Sequence, residues 1–205
     1  MQTIWRWMCI VCVTVFLYVE AAFQHELSIC ALFQNDAKWL PEWIDFHQKQ
    51  GVSHFWLYNN LSQDEYLLYL SPYIQSGVVE LISWPIDYRS EPEWARIQEG
   101  AYRDCIDRCR KVTRWCAFLD TDEFLFSPTG KSVQKVLQEF VDFPGVCVHW
   151  RMYGTSHVAK IPAGSGVLNT LVYRAPDNFG PHRLFKSIVQ PRQVAGTLGA
   201  HMFSY

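Results

Sequence analysis

Residues 115–125 read Trp-Cys-Ala-Phe-Leu-Asp-Thr-Asp-Glu-Phe-Leu, an apolar run that climbs to Asp120 and Asp122 and turns apolar again. In a strand, residues i and i+2 share a face, so a buried strand over Trp115–Leu119 would send both carboxylates out together. The C-terminal ends of parallel strands are where open α/β sheets bind ligands. Two close carboxylates repel unless a cation lies between them. Hard divalent ions accept such oxygen ligands and bridge them to phosphates. The pattern therefore predicts a metal–phosphate site. The ordinary meaning of Asp-Thr-Asp, a solvated turn, fits less well because apolar residues flank the motif on both sides.

The elements that must position these acids alternate between strand and helix. Leu27–Phe33 reads as a buried strand ending in Gln34-Asn35-Asp36, and Lys38–Gln50 as a helix with Trp39, Leu40, Trp43, Ile44 and His47 at helical spacing. Pro41 is tolerated in the first turn of that helix and Gly51 ends it. A strand at His54–Tyr58 leads into Asn59-Asn60-Leu61-Ser62, followed by a helix over Gln63–Ser71 and a strand over Val78–Ser83. Trp94–Arg110 reads as a long helix, with Trp94, Ile97, Ala101, Cys105 and Cys109 along one face, before the strand that carries the acids. A short helix over Val133–Phe140 and strands over Val146–Arg151, Val167–Tyr173 and Ser187–Val189 follow, with a loop at Ala175–His182. Repeated strand–helix units imply a mostly parallel sheet with right-handed crossovers. Asn35-Asp36, Asn59–Ser62 and Asp120 then fall at strand ends on one edge. Singly such residues favour turns; together they predict a shared crevice.

Composition sets the outer bounds. The chain has 205 residues, enough for one domain with a sizeable core, and 49% hydrophobic with 16% aromatic content excludes disorder. Net charge is −2 with no basic patch, which argues against nucleic acid as a partner. Trp7–Val19 is apolar apart from one Thr, follows Arg6 and precedes Glu20 and the small residues Ala21 and Ala22. The run is shorter than the ~20 residues of a membrane-spanning helix. It reads as a signal peptide or short signal anchor over residues 1–22, giving a secretory-pathway, membrane-associated or exported protein. Cys9 and Cys12 lie inside it. Of the other cysteines, Cys30, Cys116 and Cys147 fall in apolar strands and read as core residues; Cys105 and Cys109, spaced i, i+4, are by themselves poor signs of a metal site. Export would permit disulfides.

A run of further motifs carries a family resemblance. It comprises Asn35; Leu40-Pro41-Glu42-Trp43-Ile44-Asp45-Phe46-His47 with Gly51-Val52; Leu57-Tyr58-Asn59-Asn60-Leu61-Ser62-Gln63-Asp64; and Gln98 with Tyr102, Asp104 and Cys105. It continues through Asp120–Phe124 to Trp150-Arg151-Met152-Tyr153-Gly154. Over roughly residues 27–203 the chain resembles glycosyltransferase family 92 and its relatives. The resemblance implies a GT-A fold over residues 25–205: a single α/β domain with a Rossmann-like, mostly parallel sheet flanked by helices. It implies transfer of a sugar, often galactose, from a nucleotide diphosphate sugar (expected to be a UDP-sugar) to a glycan or other hydroxyl acceptor, with inversion. It implies Mn²⁺, or Mg²⁺, on Asp120 and Asp122, with His201 as third ligand. Asn35, Tyr58, Asn59 and Asn60 would lie near the nucleotide, and Gln98 near the donor ribose or sugar. Lys186 or Arg183 would offset charge on the departing diphosphate. Asp177 is the candidate general base, and Glu123 a support to the metal ligands. Two departures stand out: Asn59 occupies a position usually held by Asp, and the sequence runs only to Tyr205 after His201, where relatives carry more acceptor-side sequence. The expectation from the second is a minimal version, or one with compromised acceptor binding and activity.

Two other classes compete. A haloacid-dehalogenase-like phosphatase also opens on a strand and Asp-x-Asp, but Glu123 and Phe124 stand where that motif wants a small or hydroxyl residue, and three strands precede the acids. A non-catalytic remnant that binds nucleotide or glycan is the third.

Overall fold

A computed structural model describes residues 22–87 and 94–205. The N-terminal run read as a signal peptide or short anchor over residues 1–22 lies outside the described residues, apart from Ala22. The elements begin with β1 (His25–Phe33), α1 (Leu40–Lys49), β2 (His54–Asn59), α2 (Tyr66–Gln75), β3 (Val79–Ser83), α3 (Trp94–Cys109) and β4 (Thr113–Phe118). They continue with α4 (Val133–Leu137), β5 (Gly145–His149), the single turn α5 (Val167–Thr170), β6 (Phe185–Val189), and the small ribbon of β7 (Gly196–Thr197) and β8 (Phe203–Ser204). Val167–Tyr173, expected as a strand, instead begins with the turn of α5. The cause is the Glu42 carboxylate of α1, which accepts from the backbone N–H groups of Val167 at 2.7 Å and Leu168 at 3.2 Å and so caps a helical turn.

The main sheet has the order β3-β2-β1-β4-β6-β5. β1 pairs in parallel with both β2 and β4, and β2 with β3, while β6 runs antiparallel between β4 and β5. This is the mostly parallel α/β arrangement that the sequence implied. β1 is buried along most of its length, as an interior parallel strand must be.

The period of two divides the core. Leu27, Ile29, Ala31 and Phe33 of β1 and Trp115 and Ala117 of β4 pack with Leu40, Trp43 and Ile44 of α1. Cys30 and Leu32 of β1 and Cys116 and Phe118 of β4 pack with Ile97, Ala101, Tyr102 and Cys105 of α3. Gly51 follows α1 with φ +93°, and a Cβ there would come within 2.6 Å of the Gln134 side chain, so only glycine allows both the turn and the contact with α4. Cys147, expected in the core, is exposed on β5, since that edge strand leaves one face to solvent.

Candidate active site

β4 ends at Phe118, before the acids. Asp120 keeps the parity of Cys116 and Phe118 and meets α3, where the Gln98 side-chain amide donates to Asp120 Oδ1 at 2.6 Å. Strand geometry does not place Asp122. Asp120–Glu123 forms a turn closed from both sides: Glu123 N–H donates to Asp120 O at 3.1 Å, and Asp120 N–H donates to Glu123 Oε2 at 2.8 Å. The expectation that both acids leave a strand side by side is therefore corrected. Capture of the Asp120 N–H by the Glu123 carboxylate bends the chain before a ladder can continue.

The turn is held from beneath by α1. Trp43 Nε1–H donates to Glu123 O at 2.7 Å, and Leu125 N–H donates to His47 Nε2 at 2.9 Å. His47 Nδ1 lies 2.8 Å from Trp43 O, so the ring is a neutral tautomer with its proton on Nδ1. Burial holds this imidazole down at about 4, against its hydrogen bond to Trp43. Both side chains are wholly buried.

Lys186 reaches the same turn from β6. Antiparallel pairing sets Val189 opposite Cys116 and Ile188 opposite Ala117; carried on by two residues, the register brings Lys186 level with Leu119. Lys186 is 1% exposed, and its ammonium lies 2.7 Å from Asp120 Oδ2 and 3.2 Å from Glu123 Oε2. Burial pushes the Glu123 carboxyl up to about 7, with Asp120 adding to the rise and Lys186 opposing it. Asp122 stays exposed, and its carboxyl is raised by partial desolvation and then by Asp120, with Asp36 contributing. Asp36, at the end of β1, joins the cluster by accepting from Thr121 Oγ1 at 2.8 Å.

His201 follows β7. Its imidazole is lowered by burial and then by Lys186, while Asp120 opposes, so the charge of His201 is coupled to the residues of the turn. Its Nδ1 is buried without a partner. Trp150 lies between these groups, with Lys186 Nζ 5.8 Å from its ring centroid and the His201 ring 6.2 Å away, edge-on.

The loops after β1 and β2 interlock. Asn35, with φ +60°, accepts from Gln63 N–H at 2.8 Å through Oδ1, and Asn35 N–H donates to Ser62 Oγ at 3.0 Å. Asn59 Oδ1 accepts from Ser62 N–H at 3.1 Å. Asn35 and Asn59 thus shape the rim. Tyr58 does not reach it: the side chain is fully buried and its hydroxyl donates to Asp104 Oδ2 at 2.7 Å on the α3 side. Strand alternation sends it into the core, which corrects its expected place beside a nucleotide. Asn60 is 1% exposed, so its side chain is also turned inward, and its backbone carbonyl accepts from Gln34 Nε2. Asp177 is highly exposed and paired with Arg174 at 2.9 Å. Arg183 is exposed.

The structure thus brings Asp120, Asp122, Gln98, Lys186 and His201 to one place. Sequence reasoning left Asp36 and Trp150 without roles. Asp36 is legible as a polar residue at a strand end, and Trp150 only as part of the motif Trp150–Gly154, whose place at the site depends on β6 and the residues after β7.

Around the turn, Asp120 and Glu123 pair with the buried ammonium of Lys186, and Asp36 and Asp122 add two further carboxylates nearby. Carboxylate oxygens and the partnerless His201 Nδ1 are donor types that a hard divalent ion accepts, but among the described residues these ligand atoms are not gathered within 4.8 Å of one another. Both oxygens of Asp120 already accept a hydrogen bond, but a carboxylate offers about four lone-pair sites, so they can still face a cation.

Residues 24–204 match the model of glycosyltransferase family 92. The chain belongs to that family. A glycosyltransferase family 92 protein of Ricinus communis is 29% identical over 180 residues, covering 85% of this chain and 30% of its own length. Beta-1,4-galactosyltransferase galt-1 of Caenorhabditis elegans is 31% identical over 116 residues, covering 54% of this chain and 27% of its own. Among solved structures, S. aureus TarS 1–349 superposes with a TM-score of 0.47 at 14% identity, over 81% of this chain and 47% of that one. The chain spans less than a third of the length of these curated relatives.

Proposed function

We propose that this chain carries the donor site of a metal-dependent, inverting glycosyltransferase that moves a hexose, galactose by analogy with the named relatives, from a UDP-sugar to a glycan hydroxyl. The observation that carries the reading is the closed Asp120–Glu123 turn at the end of β4, locked by Gln98 and buried Lys186 while Asp122 stays exposed. Asp122, His201 and the outer lone pairs of Asp120 would hold Mn²⁺ or Mg²⁺, which supplies positive charge to the diphosphate when bound. His201, kept neutral by burial and Lys186, is in the protonation state a ligand needs.

In the transfer, the acceptor oxygen forms a bond to the anomeric carbon as the bond from that carbon to the diphosphate oxygen breaks. The electron pair leaves with the diphosphate, and the acceptor proton passes to a base. Lys186 holds Asp120 fixed and adds local positive charge. Gln98 orients the other Asp120 oxygen. Asn35 and Asn59 hold the rim on which the nucleotide would rest. Asp177 is kept as the base on the strength of its loop alone, and it must leave Arg174 to act. The N-terminal run is proposed as a secretory-pathway signal or anchor.

Incubation with UDP-galactose, with Mn²⁺ and with excess chelator, tests this reading. Donor hydrolysis or transfer is expected only with the ion, and Asp122→Ala is expected to lower it roughly 10²–10³-fold. Equal turnover in chelator, or hydrolysis of simple phosphomonoesters with no response to nucleotide sugars, would sink the proposal.

A further inference from the structure

β4 and α3 meet a second time, away from the acids. Cys105 and Cys109 leave consecutive turns of α3, and Cys116 comes from the middle of β4. The sulfurs of these three all lie within 4.8 Å of one another. All three are 0% exposed. Cys30 of β1, equally buried, belongs to the same packed cluster as Cys105, Cys109 and Cys116. The remaining thiol contacts are long: Cys109 to Ile106 O at 3.7 Å and Cys116 to Ala117 O at 3.9 Å. His54 stands near enough for its charge to couple to Cys116. His54 is 8% exposed; its Nδ1 lies 3.1 Å from Gly77 O, and its Nε2 is buried without a partner.

We propose that Cys105, Cys109 and Cys116, with Cys30 beside them, form a buried structural site for a soft divalent cation of the zinc class, separate from the acid site. Thiols are weak hydrogen-bonding groups and gain little from one another. As thiolates they are strong ligands of soft ions, whereas Mn²⁺ and Mg²⁺ prefer oxygen. Zinc–sulfur bonds of about 2.3 Å in a tetrahedral shell put sulfurs about 3.8 Å apart, within the spread the three already have. On binding, three thiols release their protons to solvent, and the ion with three thiolates carries a net charge of −1. Cys30 approaches as a neutral fourth sulfur, and the uncompensated His54 Nε2 gives the neighbourhood a proton acceptor. Complete burial means that the ion enters as the chain folds, which couples its affinity to folding.

The test uses the full chain with Cys9 and Cys12 changed to Ser, refolded from denaturant under reducing conditions with Cd²⁺ or Zn²⁺ and then exchanged into chelator. The expected result is one tightly held equivalent of metal, a cadmium–thiolate charge-transfer band, and release of the ion on unfolding. Cys116→Ser and Cys109→Ser are each expected to lower retained metal at least tenfold, while Cys147→Ser and Asp122→Ala leave it unchanged. Because a serine variant can fail to fold, the parent chain is read first, and a variant is read only when it folds. A folded parent, refolded with Cd²⁺, that lacks both metal and the band overturns the proposal. So does a disulfide among the four cysteines in protein purified without reductant, or full retention in a folded Cys116→Ser.

Discussion

The same two elements, β4 and α3, build two unlike clusters. At one end, Asp120 meets Gln98 in a polar, partly open group of carboxylates around a buried ammonium. Further back along the same pair, Cys116 meets Cys105 and Cys109 in a closed, apolar group of sulfurs. The difference follows from the sheet. Strand interiors are covered on both faces, so only residues content without water persist there. Past the last ladder bond the chain turns into solvent, and carboxylates can keep their charge.

The contrast breaks most visibly in access to reagents. Alkylation of the native chain is expected to modify exposed Cys147 at least ~10³-fold faster than Cys30, Cys105, Cys109 and Cys116, which react only when the structure opens. Peptide mapping after timed labelling reads this, and fast labelling of Cys116 would show the core cluster to be open.

Next in size is pH. His47, which holds the loop behind the acids, has its folded value lowered to about 4 from an ordinary 6.5. The unfolded chain therefore binds more protons between those values, and stability is lost as pH falls through that window. The contribution is about 3 kcal/mol, fully present above pH 6.5. Denaturant melts across the window are expected to show this loss in the parent and not in His47→Gln. Parallel curves would remove His47 as the cause.

The ammonium comes third. Lys186→Met leaves Asp120 and Glu123 facing each other without a cation. The cost is expected to be about 2 kcal/mol, below that of a fully buried pair because the Asp120 side chain is 39% exposed. It should be accompanied by loss of donor binding, measured by calorimetry, and an unchanged melting point would show that Lys186 does not hold the turn. The smallest effect falls outside both clusters: Glu42→Gln weakens the cap on α5 by roughly 1 kcal/mol. Hydrogen exchange at Val167 and Leu168 is expected to speed up while the sheet is unaffected; no change there would mean that the cap is not what orders the turn.

The alternation of strand and helix was readable because local periodicity and burial agree in a parallel sheet. Most of the strands and helices lie within a few residues of their expected bounds, from β1 through β6. Tyr58 is near a strand end, where sequence suggests a rim residue, but its parity sends it inward to Asp104. The segment from Trp150 to Arg183 is not legible locally, because its form depends on distant partners such as Glu42. Family membership, legible in the motifs, spans most of the chain.

By itself the sequence determined which residues carry charge, which strands are buried, and that Asp120 follows the fourth strand, since each of these depends on neighbours a few positions away. Tertiary structure decided what those residues face. Lys186 reaches Asp120 across 66 positions because β6 is inserted antiparallel beside β4. Cys116 joins Cys105 and Cys109 because α3 packs on the face of β4 that carries the even-numbered side chains. Coulomb forces and metal coordination act over a few ångströms, and only the fold brings groups so far apart in the chain within that reach.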